Sequence, residues 1–247
     1  GKVMMDRNAP DELCDDIEGS YADSKSLIEK WHNKGRLGYA VTPRFAPTSS
    51  EGQLIQAAKL LQEYPNTKSV KGVLLQTHLN ENSDEIDWVK ELYPKSKNYF
   101  DVYDNLGLSG GNSVFGHCIH NSADEYRRMA ETHSKVALCP TSNLFLGSGL
   151  FSLDELEQYG IDVALASDVG GGDSFSMFDV MNEAYKICRL NGYNLDPVKA
   201  FYLTTLGAAK VLNVSDCLGN FESDKEADFI VVDLNATELL TQRLNTA

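Results

Sequence analysis

The sequence predicts an α/β protein with parallel strands, and two observations carry that reading. Short β-branched apolar runs alternate with longer stretches of helical periodicity along most of the chain. The runs are almost continuously apolar, as parallel strands covered on both faces should be.

Five strands are predicted, at 38–43, 70–77, 113–117, 135–139 and 162–167. Helices are predicted over about 22–34, 50–63, 82–92, 97–106, 122–132, 152–159, 174–191 and 196–212. Ser50, Ser122 and Ser152 each precede acidic residues, which supplies a hydroxyl N-cap and early negative charge for the helix dipole. Pro197 suits the first turn of the last helix. Beyond it, Gly219 and Asn220 lead to a predicted strand at 228–233, outside the main repeat. Two architectures fit this order. A closed barrel needs eight strands and about 250 residues, so it requires strands upstream of those found. An open doubly wound sheet is complete with five.

The chain has 247 residues, 42% of them hydrophobic, enough for a substantial core. A formal charge of -14 repels a polyanionic backbone, so a small-molecule substrate is expected and nucleic acid is not. The five cysteines, Cys14, Cys118, Cys139, Cys188 and Cys217, form no C-x-x-C pair, and a reducing cytoplasm is the expected compartment. The apolar runs at 70–75 and 161–166 are far shorter than the roughly 20 residues that cross a bilayer, so no membrane span is expected.

Active sites on parallel barrels are assembled at the C-terminal ends of strands, so polar groups that end apolar runs are the candidates. They are Arg44, His78 with Glu81, His117, Asn143 and Asp168. Singly, each has a structural explanation: a strand-ending histidine can be a satisfied core residue, Asp168 a helix cap, Glu81 a first-turn acid. Together, imidazole and carboxylate suit zinc or iron in a hydrolytic site. A bound metal lowers the pKa of its water toward about 7, and a nearby carboxylate that is not a ligand can then shuttle protons, a role suited to Glu81. His32, His120 and His133 are read as structural or surface residues.

Rival motifs are weaker. The run Gly170–Gly172 follows a strand, but neither G-x-x-x-x-G-K-[S/T] nor G-x-G-x-x-G occurs, and a turn beside Asp168 is expected instead. The H-x-E with P-C-x-x-C of cysteine-ligated zinc deaminases is absent, as is a G-x-S-x-G elbow.

The blocks "GKVMMDRNAPD" (1–11), "TPRFAPTS" (42–49), "THLNEN" (77–82), "GHCIH" (116–120), "CPTSNLFLGSGLF" (139–151), "SDVGGGDSFSM" (167–177) and "GNFESDKEADFIVVD" (219–233) resemble the amidohydrolase superfamily and, within it, the guanine deaminases as a group. The resemblance implies a (β/α)8 TIM barrel, incomplete in this chain, with residues 1–215 as a partial catalytic barrel and 216–247 as the start of the return to a small β-sandwich domain. It implies hydrolysis of guanine to xanthine and ammonia. His78 and Asp168 would be metal ligands, and Glu81, His117 and Asp168 catalytic groups. Arg44 and Phe45, with His78 and Glu81, would contact the substrate. One zinc per subunit is implied, with iron as the alternative, in a cytoplasmic homodimer. The family also takes two ligands from an H-x-H, which this sequence lacks, so truncation at both ends is expected. Asn80 stands where the family commonly has Ser or Ala. Alternatives are a relative acting on another aminated or chlorinated heterocycle (an adenosine derivative, a pterin or a triazine) and, lacking the H-x-H, a non-catalytic fragment.

Overall fold

The structure, a computed structural model, describes residues 1–67, 70–233 and 235–246. Among the described residues six strands form one sheet: β1 (Val3–Met4), β2 (Ala40–Pro43), β3 (Leu74–Leu79), β4 (Ser113–His117), β5 (Lys135–Leu138) and β6 (Val163–Leu165). Every neighbouring pair is parallel, and spatial order follows chain order from β1 to β6. A doubly wound sheet reverses its strand order at a switch point. Here no reversal occurs among the described residues, so the winding is that of a (β/α)8 barrel wall and the doubly wound alternative falls away.

The strands are joined by α1 (Ile17–Trp31), α2 (Glu51–Glu63), α3 (Ser83–Leu92), α4 (Tyr99–Asp104), α5 (Ala123–Thr132), α6 (Pro140–Phe145) and α7 (Leu153–Gln158). After β6 come α8 (Met177–Leu190), α9 (Pro197–Thr204), α10 (Leu206–Val211) and α11 (Glu238–Thr246). None is long and apolar enough to cross a membrane among the described residues. Ser50 caps α2 by accepting from the Gln53 amide, and Ser122 forms a full capping box with Glu125 at the start of α5. Ser152 makes no cap bond; its hydroxyl donates to Asp154 instead. The helix predicted over 196–212 breaks at Thr205, whose φ of -125° and ψ of -99° are not helical.

The segment 228–233 forms no strand, contrary to expectation. A strand needs a pairing partner, and here Phe229, Ile230, Val231 and Val232 are all exposed. The Arg36 guanidinium pins the approach to this segment through ion pairs to Glu226 at 2.6 Å and Asp228 at 2.5 Å. Leu234 and Ala247, within the expected start of the small β domain, lie outside the described residues.

The core lies between the sheet and its helices. On β3, Leu75, Thr77 and Leu79 are fully buried, whereas Leu74, Gln76 and His78 on the opposite face are half-buried. Phe115 of β4 packs edge-on against Phe100 at 5.2 Å between ring centres and against Tyr103 at 5.6 Å, with no exposed surface. Phe115→Ala is expected to lower unfolding stability by about 3–5 kcal/mol, measured by urea titration. A loss below about 1 kcal/mol would show that this aromatic cluster does not anchor the sheet.

Candidate active site

Four of the predicted residues converge at the C-terminal end of the sheet, and the register explains the first pair. His78 of β3 pairs with Gly116 of β4, and Leu79 pairs with His117. Strict alternation would send the His117 side chain to the helix side with Leu79. A left-handed backbone at His117 (φ 69°) and Cys118 (φ 51°) breaks the alternation at the strand end. The imidazoles of His78 and His117 stack, with centres 5.2 Å apart and planes 25° from parallel.

Each ring is fixed from behind. His78 Nδ1 donates to the Arg44 carbonyl at 2.6 Å, which leaves Nε2 with its lone pair. Burial, and then the neighbouring His117, hold the His78 pKa below the usual imidazole value, so it stands neutral. His117 is 2% exposed, and its Nδ1 donates to Asn143 Oδ1 at 2.9 Å. Its Nε2 lies 3.8 Å from Glu81 Oε2. The other Glu81 oxygen, Oε1, accepts from the Ser148 hydroxyl at 3.1 Å.

The loop that carries Glu81 is held by two buried carboxylates. Glu85 accepts from the Glu81 and Asn82 amides at 3.0 and 3.3 Å and from the Tyr99 hydroxyl at 2.7 Å. Burial pushes the Glu85 carboxyl up from its ordinary value. Glu125 accepts from the Asn80 side-chain amide at 2.9 Å and from the Phe100 and Ser122 amides. Asn80 is left-handed (φ 50°), and its carbonyl accepts from Ile119 and His120, which laces the loop after β3 to the loop after β4. An asparagine here tolerates the left-handed conformation that serine or alanine would meet at greater cost.

Asp168, also left-handed (φ 46°), follows β6. The amides of Gly171 and Gly172 fold back onto its carbonyl at 3.1 and 2.6 Å. A Cβ at Gly172 would collide with the Ser167 carbonyl, so the predicted glycine turn is a tight backbone return. Asp168, His117 and Cys139 bring potential metal-ligand atoms within 4.8 Å of one another. Sequence reasoning did not place Cys139 here, because nothing in its spacing signals a ligand. Its thiol donates to the Ala137 carbonyl at 3.4 Å, and burial pushes its pKa up, reinforced by Asp168; it stands as a thiol, not a thiolate. Imidazole and carboxylate suit a divalent metal such as zinc, so the chemistry of His78, whose Nδ1 is braced by a backbone carbonyl, and of Asp168 fits one.

Arg44 and Phe45 lie beside this group. The Arg44 carbonyl accepts from the His78 amide and the Thr77 hydroxyl as well as from the His78 ring. Its guanidinium rests 4.4 Å from the centre of the Phe45 ring, which lies 5.8 Å from His78. The Tyr103 hydroxyl fixes the turn by accepting from the Ala46 amide at 2.9 Å and donating to the His78 carbonyl at 3.0 Å. The other histidines are structural: His32 bridges the Tyr39 amide and the Lys71 carbonyl, His120 donates to the Ser148 carbonyl, and His133 ends α5.

Guanine deaminase of Escherichia coli (strain K12) is 53% identical over 247 residues, which is 100% of this chain and 55% of that protein. Human guanine deaminase is 33% identical over 247 residues, 96% of this chain and 53% of its own length. The chain thus spans about half the length of these curated relatives. The solved E. coli enzyme superposes with a TM-score of 0.95 at 53% identity, covering 100% of this chain and 57% of that one. A guanine deaminase from C. acetobutylicum, solved with bound guanine in its active site, matches with a TM-score of 0.81 at 34% identity over 90% of this chain and 53% of that one. The Amidohydrolase family model matches residues 1–246, and the chain belongs to that family.

Proposed function

We propose that this chain supplies the principal catalytic part of a guanine deaminase, which hydrolyses guanine to xanthine and ammonia. The observation that carries the reading is the convergence of His78, Glu81, His117 and Asp168 at one end of the sheet, with Glu81 3.8 Å from His117. The likeness to guanine deaminases over most of the chain supports the substrate.

In this reading His78 and Asp168 would hold one zinc per subunit, with iron as the alternative. The metal supplies Lewis acidity, which makes water a competent nucleophile near neutral pH. Asp168 would also act as a proton acceptor, taking the proton that the attacking oxygen still carries after it adds to the ring and passing it to the departing nitrogen. Glu81 would take a proton from the attacking water and deliver it to the purine ring, and so help ammonia leave, the work of a positioned carboxyl. His117 donates to or accepts from the oxygen that attacks the ring. Arg44 presents its planar fork to the carbonyl edge of guanine, with Phe45 against the base. The division into a catalytic barrel portion at 1–215 and the start of a small β domain at 216–247, the cytoplasmic setting and the homodimer belong to the same proposal.

A complete form of the protein carrying these residues, supplied with zinc, should release ammonia from guanine, lose that activity to a chelator and regain it with zinc. Ammonia from a pterin, an adenosine derivative or a triazine panel, and none from guanine, would transfer the reading to another heterocycle. Arg44→Ala should lower kcat/KM for guanine about 10- to 100-fold at unchanged metal content. Loss of the metal in that variant would remove Arg44 from base recognition. Glu81→Gln should lower kcat by about 10²–10⁴, and full activity in that variant would end its proton-transfer role.

A further inference from the structure

The turn at 147–149 lies far from Glu81 in sequence, yet its serine touches the Glu81 carboxylate. We propose that Ser148 is a positioning residue that holds the proton-carrying carboxylate of Glu81 in its working orientation. The proposal rests on the deaminase reading of the site.

Ser148 is 9% exposed, and each of its polar groups has an assigned partner. Its hydroxyl donates to Glu81 Oε1 at 3.1 Å, its amide donates to the Asn143 carbonyl at 2.9 Å, and its carbonyl accepts from His120 Nε2 at 2.8 Å. The flanking glycines have left-handed φ values, 71° at Gly147 and 135° at Gly149. A Cβ on Gly149 would stand 3.0 Å from Ile119 and 3.1 Å from the His120 ring. The backbone turn is therefore specified by glycine on both sides, and the hydroxyl has a fixed place from which to donate.

The consequence concerns two catalytic groups together. Asn143 holds His117 through its side chain and Ser148 through its main chain, while Ser148 holds Glu81. One short stretch, 143–148, thus sets both partners of the 3.8 Å approach between His117 Nε2 and Glu81 Oε2. A glutamate has three rotatable side-chain bonds; tying down Oε1 restricts them and leaves Oε2 as the oxygen turned toward His117.

The test is a double-mutant cycle in the complete zinc enzyme, with steady-state kinetics on guanine, metal content and thermal unfolding measured for every variant. Ser148→Ala should lower kcat about 10- to 100-fold, the range for losing a hydrogen bond to a charged group, with KM within about threefold of wild type. On a Glu81→Gln background the same substitution should cost no further activity, because Ser148 acts through the Glu81 carboxylate. Wild-type kcat in Ser148→Ala beside a crippled Glu81→Gln would overturn the proposal and leave the site reading standing. An equal loss from Ser148→Ala on both backgrounds would also overturn it, since a merely structural role adds independently. Full activity in Glu81→Gln would overturn both.

Discussion

The parallel register between β3 and β4 is the constraint on which the site depends. Pairing runs from Leu75 opposite Ser113 to Leu79 opposite His117, and it delivers His78 and His117 to the same level of the sheet. Sliding β4 by one residue would turn Phe115 away from Phe100 and Tyr103 and put Val114 or Gly116 in its place. The aromatic packing of Phe115 with Phe100 and Tyr103 therefore holds more than the core. Tyr103 carries the same constraint to β2, since its hydroxyl joins the turn after Arg44 to the His78 carbonyl.

A second layer of order comes from buried carboxylates that serve as hydrogen-bond acceptors for the site loops. Glu85 and Glu125 each lie in the first turn of the helix that follows a site strand, and each closes a capping box. Both reach beyond their own helices: Glu85 to the Glu81 amide, Glu125 to Asn80 and to the start of α4. Burying a carboxylate is costly unless its oxygens are satisfied. Here convergent amide, hydroxyl and side-chain donors offset much of that cost and tie the loops together.

What could be read from the sequence follows from the range of the interactions involved. Strands with continuous apolar runs were legible, as were caps such as Ser50 and Ser122 whose partners lie three residues away. The two-residue β1 left no such run, and α6 begins at Pro140 and contains Thr141, Ser142 and Asn143, weak helix formers, so no helix was predicted there. The run at 228–233 has strand composition but no described neighbour to pair with, and composition alone supplies no hydrogen-bond partner. In the site, residues that end strands announced themselves. Asn80 and Ser148 did not, because their parts depend on contacts between distant segments, Ser148 being 67 positions from Glu81, and Cys139, though it ends a predicted strand, has no spacing that marks a ligand.

The left-handed backbone at His117, Cys118 and Asp168 has an evolutionary consequence. A side chain in that conformation costs of order 1 kcal/mol or more, which the surrounding structure must absorb. Glycine at any of the three would relax the backbone, yet at His117 and Asp168 it would delete a side chain that the proposed reaction uses. If the proposed reaction is the one under selection, thermal robustness and turnover pull these positions in opposite directions, and a lineage adapting to heat would have to find its added stability elsewhere in the barrel wall.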